Sequence, residues 1–396
     1  MKSPKALVNE HILAWARRIA GFSLEEAAKR LQKTTEQLQS WEAGEDHPTL
    51  VQLRAVAALY KRPFSDFYLE DPPEEEPFPH DFRRLPGEVA LNYSPALRHQ
   101  MRLAQARRDI FLELASDIAV QVPSFGFRAE MDAEPESLGV RLREFLGVRL
   151  AEQQSWRTPH QAYRGWRAAI EARHALTFQI AGVDTAEALG FSLAFDVLPV
   201  IAVNQKLKPN GRTFTLLHEF VHVAIGASGL CDLVEETVRP AAEQRVEVFC
   251  NAVAAAALVP RQDLLAADVV SARGDGLHAW SNEEIEAVAR RFSVSEEVVL
   301  RRLLAVGRTT LAHYKYMRAE YVARYARLAQ EERQEAADQE MKRNMPRETL
   351  TNLGPRYTRL VLESFNQDNI TLVDASRYLG LKAKHIRRLE DMVLGT

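Results

Sequence analysis

The decapeptide Thr213–His222, TFTLLHEFVH, places two histidines four positions apart with a glutamate directly after the first. On a helix, residues at this spacing lie one above the other, so His218 and His222 can turn both imidazoles towards a single ion. Glu219 is the next residue round, beside such an ion rather than beneath it. That offset lets a carboxylate accept a proton from a metal-activated water as the water attacks a peptide carbonyl. Phe214, Leu217, Val221, Ala224 and Ile225 are apolar. They would bury the remaining faces and hold the helix still.

Two imidazoles do not complete a catalytic zinc site, which takes three protein ligands and keeps one position open for water. A further histidine six residues on is absent, because Ser228 stands there. The helical pattern EQRVEVFCNAVAAAAL, residues 243–258, is the natural source of the third ligand. Val246, Phe249, Val253 and Ala257 form its apolar stripe, and Glu247, Cys250, Asn251 and Ala254 share the adjoining face. Glu247 stands at the edge of a buried stripe, where a lone carboxylate costs several kcal/mol unless it is paired. Metal ligation is one way of satisfying it. Glu243, one turn earlier, and the softer ligand Cys250 are the other candidates. The pentapeptide alone is short enough to arise by chance, and two surface histidines would carry no meaning. The apolar helix around it and the carboxylate in a second helix are what favour a metal centre.

Composition sets the frame. A chain of 396 residues, 46% hydrophobic and 27% charged, is globular and long enough for two or three domains. Its 51 Lys and Arg nearly balance 54 Asp and Glu, so any nucleic-acid surface must be local. The two cysteines, Cys231 and Cys250, make neither a disulfide framework nor a four-thiolate zinc site, which points to a reducing, cytoplasmic compartment. The opening MKSPKALVNEHILAWARR has its short apolar run broken by charge and does not read as a signal peptide. No run approaches the roughly 18 apolar residues of a membrane span, so no membrane partner is expected.

Along the chain, LAWARRIA, SLEEAAKRL (23–31), TTEQLQSWEAG (34–44) and TLVQLRAVAALY (49–60) read as four short helices. Ser23 and Glu26 form a capping box, and a helix-turn-helix lies at the centre of the set. EDPPEEEPFPH, residues 70–80, is rich in proline and carboxylate and reads as an extended linker. Helical periodicity resumes over 96–148 and 157–174. LTFQIA and GFSLAFDVLPVIAVNQ then switch to strand character around Pro199. Helices return at 213–225, 243–258, 281–292 and 295–306, giving an α+β domain, and a long charged helix follows over about 310–341.

The tail repeats an earlier pattern. TLVDASRYLGLKAKHIRRLE (371–390) aligns without gaps to SLEEAAKRLQKTTEQLQSWE (23–42), with Leu379 over Leu31, Ile386 over Leu38, Leu389 over Trp41 and Glu390 over Glu42. A second helix-turn-helix-like unit is therefore expected. It is locally basic, and its Lys382, Lys384, Arg387 and Arg388 could bind nucleic acid or belong to a solvated face.

RTFTLLHEFVH followed by EVFCNAVAAAALVP resembles the ImmA/IrrE metallopeptidase family, whose motifs are R-x-FT-x-x-HE-x-x-H and E-x-x-A-N-x-FA-x-x-LL-x-P. PVIAVNQ resembles the strand before the first motif. The departures are Cys250 for Ala, Val253 for Phe, and Phe220-Val221 for Leu-Gly, none of which removes a catalytic group. The resemblance covers about 185–262. It implies a zincin-like domain holding one Zn2+ on His218, His222 and Glu247, with Glu219 as general base. It also implies narrow proteolysis of a protein partner, typically a helix-turn-helix repressor, in a stress or mobile-element response. For the oxyanion, Arg212 and His278 are candidates. The strand near 197–204 could hold an extended substrate by β-augmentation.

The N-terminal module resembles the Cro/C1-type repressor domain, with Thr34, Thr35, Gln37, Gln39 and Ser40 as its groove-facing candidates. Residues 1–69 carry ten Lys or Arg against eight Asp or Glu, a weak footprint for a monomer on DNA. DNA binding by a homodimer, or recognition of another protein, are the two readings this leaves. The expected organisation is a multidomain chain: an all-α helix-turn-helix domain (1–69), a linker (70–84), the peptidase-like domain with a helical N-terminal part (85–308), a long helix (309–341) and a C-terminal helical domain (342–396). The expected function is a zinc-dependent regulatory endopeptidase that binds DNA. The alternative is a DNA-binding regulator whose central domain senses a ligand or partner without turnover.

Overall fold

The computed structural model of the protein describes residues 4–73, 93–227, 230–231, 241–337 and 344–394, with only the backbone described at 230–231, 241–243, 326 and 328–337. Residues 74–84 of the expected linker and the last four of the expected long helix lie outside the described residues. The chain forms two compact units, one reaching from the N-terminus to Leu103 and the other from Ala104 to the C-terminus.

The first unit is built from short capped helices: α1 (Glu10–Ala20), α2 (Leu24–Leu31), α3 (Thr35–Glu42), α4 (Leu50–Tyr60) and a 3-10 turn at Phe64–Tyr68. Ser23 accepts from the Glu26 amide while the Glu26 carboxylate accepts from the Ser23 amide, which satisfies two of the donors orphaned at a helix start. Gln32 adopts a left-handed conformation (φ 56°) that ends α2, and Thr34 caps α3 two residues later. Ile12, Leu13, Leu38, Trp41, Val56 and Tyr60 close a single core. Trp41 is thus a packing residue. Arg17 of α1 holds Glu42 at the end of α3 by two hydrogen bonds of 2.7 and 2.8 Å.

The second unit surrounds a mixed sheet. α5 (Pro95–Asp117), which belongs to this unit from Ala104 onward, α6 (Pro135–Leu146), α7 (Leu150–Ser155) and α8 (Pro159–Ala172) precede the strands β1 (Leu176–Ile180), β2 (Gly190–Leu193) and β3 (Val200–Asn204). Helix α9 (Pro209–Ala224), strand β4 (Leu230–Cys231) and helix α10 (Ala241–Leu258) follow. The order across the sheet is β1-β3-β2-β4, with β1 and β3 parallel and the other pairs antiparallel. Every residue of β1, β2 and β3 is buried, as strands covered on both faces must be. The turn into β3 is held by Arg108, whose guanidinium donates to the carbonyls of Val197 and Leu198 at 3.0 and 3.2 Å.

Strand β3 cannot receive an extended substrate as its pairing near 197–204 would require. Both of its edges are taken, Val200 to Asn204 by β1 and Val200 to Val203 by β2. The hydrophobic run marked a strand correctly, but a central strand has no unpaired backbone to offer. Helix α9 also begins four residues earlier than its apolar pattern suggests. Pro209 occupies its first turn, where a fixed φ suits the helix and the missing N–H would have lacked a partner.

Helix α10 ends in a buried socket. Its C-terminal carbonyls have no partners within the helix, and three side chains from other elements supply donors. Arg143 of α6 donates to Ala257, Gln153 of α7 to Leu258, and Arg302 to Val259, at 2.7, 2.9 and 2.8 Å. Gln153 also donates to the Phe292 carbonyl at 2.7 Å and accepts from Arg143. Replacing Gln153 by Leu leaves two buried carbonyls and a buried guanidinium short of partners. The expected loss is about 2–4 kcal/mol, read as a lower urea midpoint by tryptophan fluorescence.

Beyond α10 come the short helices α11 (Arg261–Leu265) and α12 (Asp268–Ser271), then α13 (Asn282–Phe292), α14 (Glu296–Ala305), which carries Arg302, and the long α15 (Leu311–Ala337). The tail consists of α16 (Met345–Leu353), α17 (Pro355–Asn366), α18 (Leu372–Leu379), a 3-10 turn at Ala383–His385 and α19 (Ile386–Val393). It belongs to the same unit as the sheet, and α16 packs on β1. Buried Arg167 makes the junction: it pairs with Glu171 and donates to the carbonyls of Thr177 in β1 and Thr351 in α16. Gly354 (φ 80°) lies so close to Arg167, Glu171 and the Thr177 carbonyl that a Cβ there would collide with all three. Among the described residues no helix is long and apolar enough to cross a membrane.

Candidate metal centre

Helix α9 packs against β2 and β3 and helix α10 packs on α9, and the contact of the two helices brings His218, His222 and Glu247 together. One ligand atom from each lies within 4.8 Å of the others. The two Nε2 atoms are 3.0 Å apart. Glu247 reaches each imidazole with a different oxygen, Oε2 to His218 and Oε1 to His222, both at 3.4 Å. Zinc bonds of roughly 2.0–2.2 Å at tetrahedral angles separate ligand atoms by about 3.3 Å. The three donors are spaced close to that. The two histidines are buried and the Glu247 side chain is 15% exposed.

The donor chemistry agrees with the spacing. His218 Nδ1 lies 3.1 Å from the Asn251 side-chain oxygen, a partner that would take an Nδ1 proton and leave Nε2 to an ion. Burial works to raise the Glu247 carboxyl, but hydrogen bonds and charge from His218 and His222 outweigh it and hold the group far below the ordinary carboxylate range. A carboxylate and two imidazole nitrogens converging on one point form a set that a divalent cation fits in place of the protons they share.

Glu219 is fully buried on the same turn of α9, against the first residue of β2. A Cβ added to Gly190 would stand 3.4 Å from the Glu219 Cγ and 2.7 Å from both Thr215 and the Ala202 carbonyl. Glycine is what allows the strand to lie this close to the His-Glu helix.

Of the other third-ligand candidates, Cys250 is buried on α10 and is not part of the cluster. The Glu243 side chain lies outside the described residues. Arg212 is turned to a structural task, donating to the carbonyls of Leu207 and Gln205, each at 2.7 Å, and so tying down the loop before α9. His278 accepts at its carbonyl from Thr309 and donates its amide to Arg308, which places it at the turn beyond α14. Asn251 was missed as a functional residue, although its position one turn after Glu247 on the ligand face was the signal that could have found it. Its loss frees the His218 ring to rotate and to change tautomer. Asn251→Ala is expected to weaken zinc binding about 10–100-fold, measured by competition with a fluorescent chelator.

In the first unit, Thr34 and Gln39 are exposed while Thr35, Gln37 and Ser40 are half-buried. The Thr34 hydroxyl accepts from the Gln37 amide, and Ser40 donates to the Gln37 carbonyl. Lys382, Lys384, Arg387 and Arg388 are exposed at the start of α19 and in the turn before it.

Comparison with known proteins agrees with both regions. Residues 173–304 match the family model described as the IrrE N-terminal-like domain, a peptidase family, and span β1 to α14 with the whole cluster inside. Residues 13–67 match the model of a helix-turn-helix. A search of curated proteins found no match. The chain therefore joins a region similar to a helix-turn-helix to a region similar to the IrrE N-terminal-like peptidase domain.

Proposed function

We propose that the protein is a zinc-dependent regulatory endopeptidase that cleaves a specific partner, a helix-turn-helix repressor being the substrate that suits it best. The observation that carries this reading is the convergence of His218, His222 and Glu247 beside a buried Glu219. Zinc, when bound there, supplies the charge that polarises a peptide carbonyl and acidifies a water. Glu219 takes the proton from the attacking water and delivers it to the amine nitrogen as the C–N bond breaks, so one carboxylate serves as base and then as acid. His218, His222 and Glu247 hold the ion, and Asn251 keeps the His218 ring in its tautomer. The apolar packing of α9 excludes bulk water and strengthens each of these interactions.

The N-terminal domain supports the choice of substrate. A peptidase that sits on DNA near a DNA-bound repressor meets it at a raised effective concentration, without needing high intrinsic affinity. Incubating the zinc-loaded protein with helix-turn-helix repressors encoded beside it tests this. Chelator-sensitive cleavage at one peptide bond, located by mass spectrometry, is expected. Intact repressors, together with ligand-dependent binding of a promoter fragment, would instead favour a regulator whose central domain only senses.

A further inference from the structure

Helix α18 and the turn after it reproduce α2 and its turn position by position, while α19 starts three residues later than α3 does and follows a 3-10 turn. Thr371 opens α18 with a capping box, as Ser23 opens α2. Gly380 ends α18 in the left-handed region at φ 59°, as Gln32 ends α2 at φ 56°. The amides that close the two turns donate to equivalent carbonyls, Gly380 to Arg377 and Leu381 to Ser376, against Gln32 to Lys29 and Lys33 to Ala28. Ile386 and Leu389 are buried where Leu38 and Trp41 are buried. Each unit also ties its last helix back to its first: Glu390 accepts from Asn366 of α17 at 2.7 Å, as Glu42 accepts from Arg17 of α1.

The inward half is shared and the outward half is not. Where the first unit has Thr34, Thr35, Glu36, Gln37, Gln39 and Ser40, the tail has Lys382, Ala383, Lys384, His385, Arg387 and Arg388. Between Arg377 and Arg388 lie five Lys or Arg and no acidic residue, in a chain whose total charge is -3. The nearby carboxylates cancel this patch only in part. Asp374 pairs with Arg377 at 3.2 Å, Glu390 accepts from Asn366, and Asp391 follows one turn after Arg387 and Arg388, so residues 374–391 carry five cations against three carboxylates. Local folding does not account for the lysines. Lys382 offers no oxygen to cap the following helix, which starts as a 3-10 turn instead, and positive charge before a helix start works against the helix dipole.

We propose that this C-terminal unit is a second DNA-binding module, holding the phosphates of a duplex through Lys382, Lys384, Arg387 and Arg388. The chemistry differs from that of the first unit. Gln37 and Gln39 are amides suited to base edges, whereas four exposed cations within seven residues suit the sequence-independent charge of the backbone. The N-terminal domain would supply discrimination between sequences, and the tail would supply a salt-sensitive share of affinity that the nearly neutral first domain lacks.

The test uses the full-length protein and a fluorescent duplex of mixed sequence, titrated by anisotropy at several salt concentrations. Neutralising Lys382, Lys384, Arg387 and Arg388 together to Ala is expected to weaken binding at least tenfold. It should also reduce the slope of log K against log salt by about 3.6, since each of the four phosphate contacts contributes roughly 0.9. The paired variant Arg387→Gln with Arg388→Gln removes half of that slope with less disturbance to the turn, and exchanging Lys for Arg and Arg for Lys preserves it. Unchanged affinity and slope in folded variants would overturn the proposal and leave the face solvated or for a protein partner. Tighter binding to a single-stranded RNA of equal length would overturn the assignment to duplex DNA.

Discussion

Glu219→Gln is expected to keep one equivalent of zinc and to cleave substrate about a thousandfold more slowly than the wild type. Gln has the size and shape of Glu, and Glu219 is wholly buried between the His-Glu turn of α9 and Gly190 of β2. The substitution therefore leaves packing in place while removing the only function an amide cannot supply, acceptance of a proton. Zinc content and thermal midpoint should match the wild type, which separates lost chemistry from lost structure. Single-turnover cleavage of a repressor followed by gel is the measurement. A variant retaining a tenth or more of the activity would show that the proton goes elsewhere, and the general-base role would have to pass to another group. A neighbouring change adds a steric control. Gly190→Ala places a methyl against Thr215 and the Ala202 carbonyl, each 2.7 Å away. It should impair the site by moving β2 against α9 without touching any ionisable group.

The helix-turn-helix was legible because its signals are local. Capping boxes act over three residues, and a left-handed turn is fixed by the few residues around it, so Ser23, Glu26 and Thr371 announce their helices in the linear pattern. The cluster of His218, His222 and Glu247 was legible for a related reason. The spacing of His218 and His222 is set by helix geometry, and Glu247 stands out as a charge at the edge of an apolar stripe. What joins those two helices is not local. Arg143, Gln153 and Arg302 secure the end of α10 from three other elements, and hydrogen bonds such as Gln153 to Leu258 link residues more than a hundred positions apart. No periodicity carries that information. Strand order is of the same kind: β3 reads as a strand from its composition, but its central place between β1 and β2 depends on which segments meet across the sheet. The docking of the tail on β1 through Arg167 and Gly354 is a third instance, since a glycine between two helices reads as a simple stop until its neighbours in space are known.

Removing any one donor should abolish stoichiometric zinc binding. His218→Ala, His222→Ala and Glu247→Ala each leave two protein ligands, and an ion held by two ligands and solvent is expected to bind about a thousandfold more weakly or worse. Glu247 provides the sharper test because it uses both oxygens, one towards each imidazole. Glu247→Asp keeps the charge but draws the carboxylate back by one C–C bond, about 1.5 Å, which is most of a zinc–oxygen bond length. Aspartate should therefore rescue zinc binding poorly, whereas a merely electrostatic role would be rescued almost fully. The readouts are metal content after dialysis and the thermal midpoint with and without added zinc. A ligand at 100 times its dissociation constant stabilises the folded state by about 2.7 kcal/mol, so zinc should raise the wild-type midpoint and leave those of the three alanine variants unmoved. Should Glu247→Ala still take up one equivalent, the third ligand would lie elsewhere. The contacts of Glu247 with His218 and His222 would then be an ion pair between two packed helices and not a metal centre.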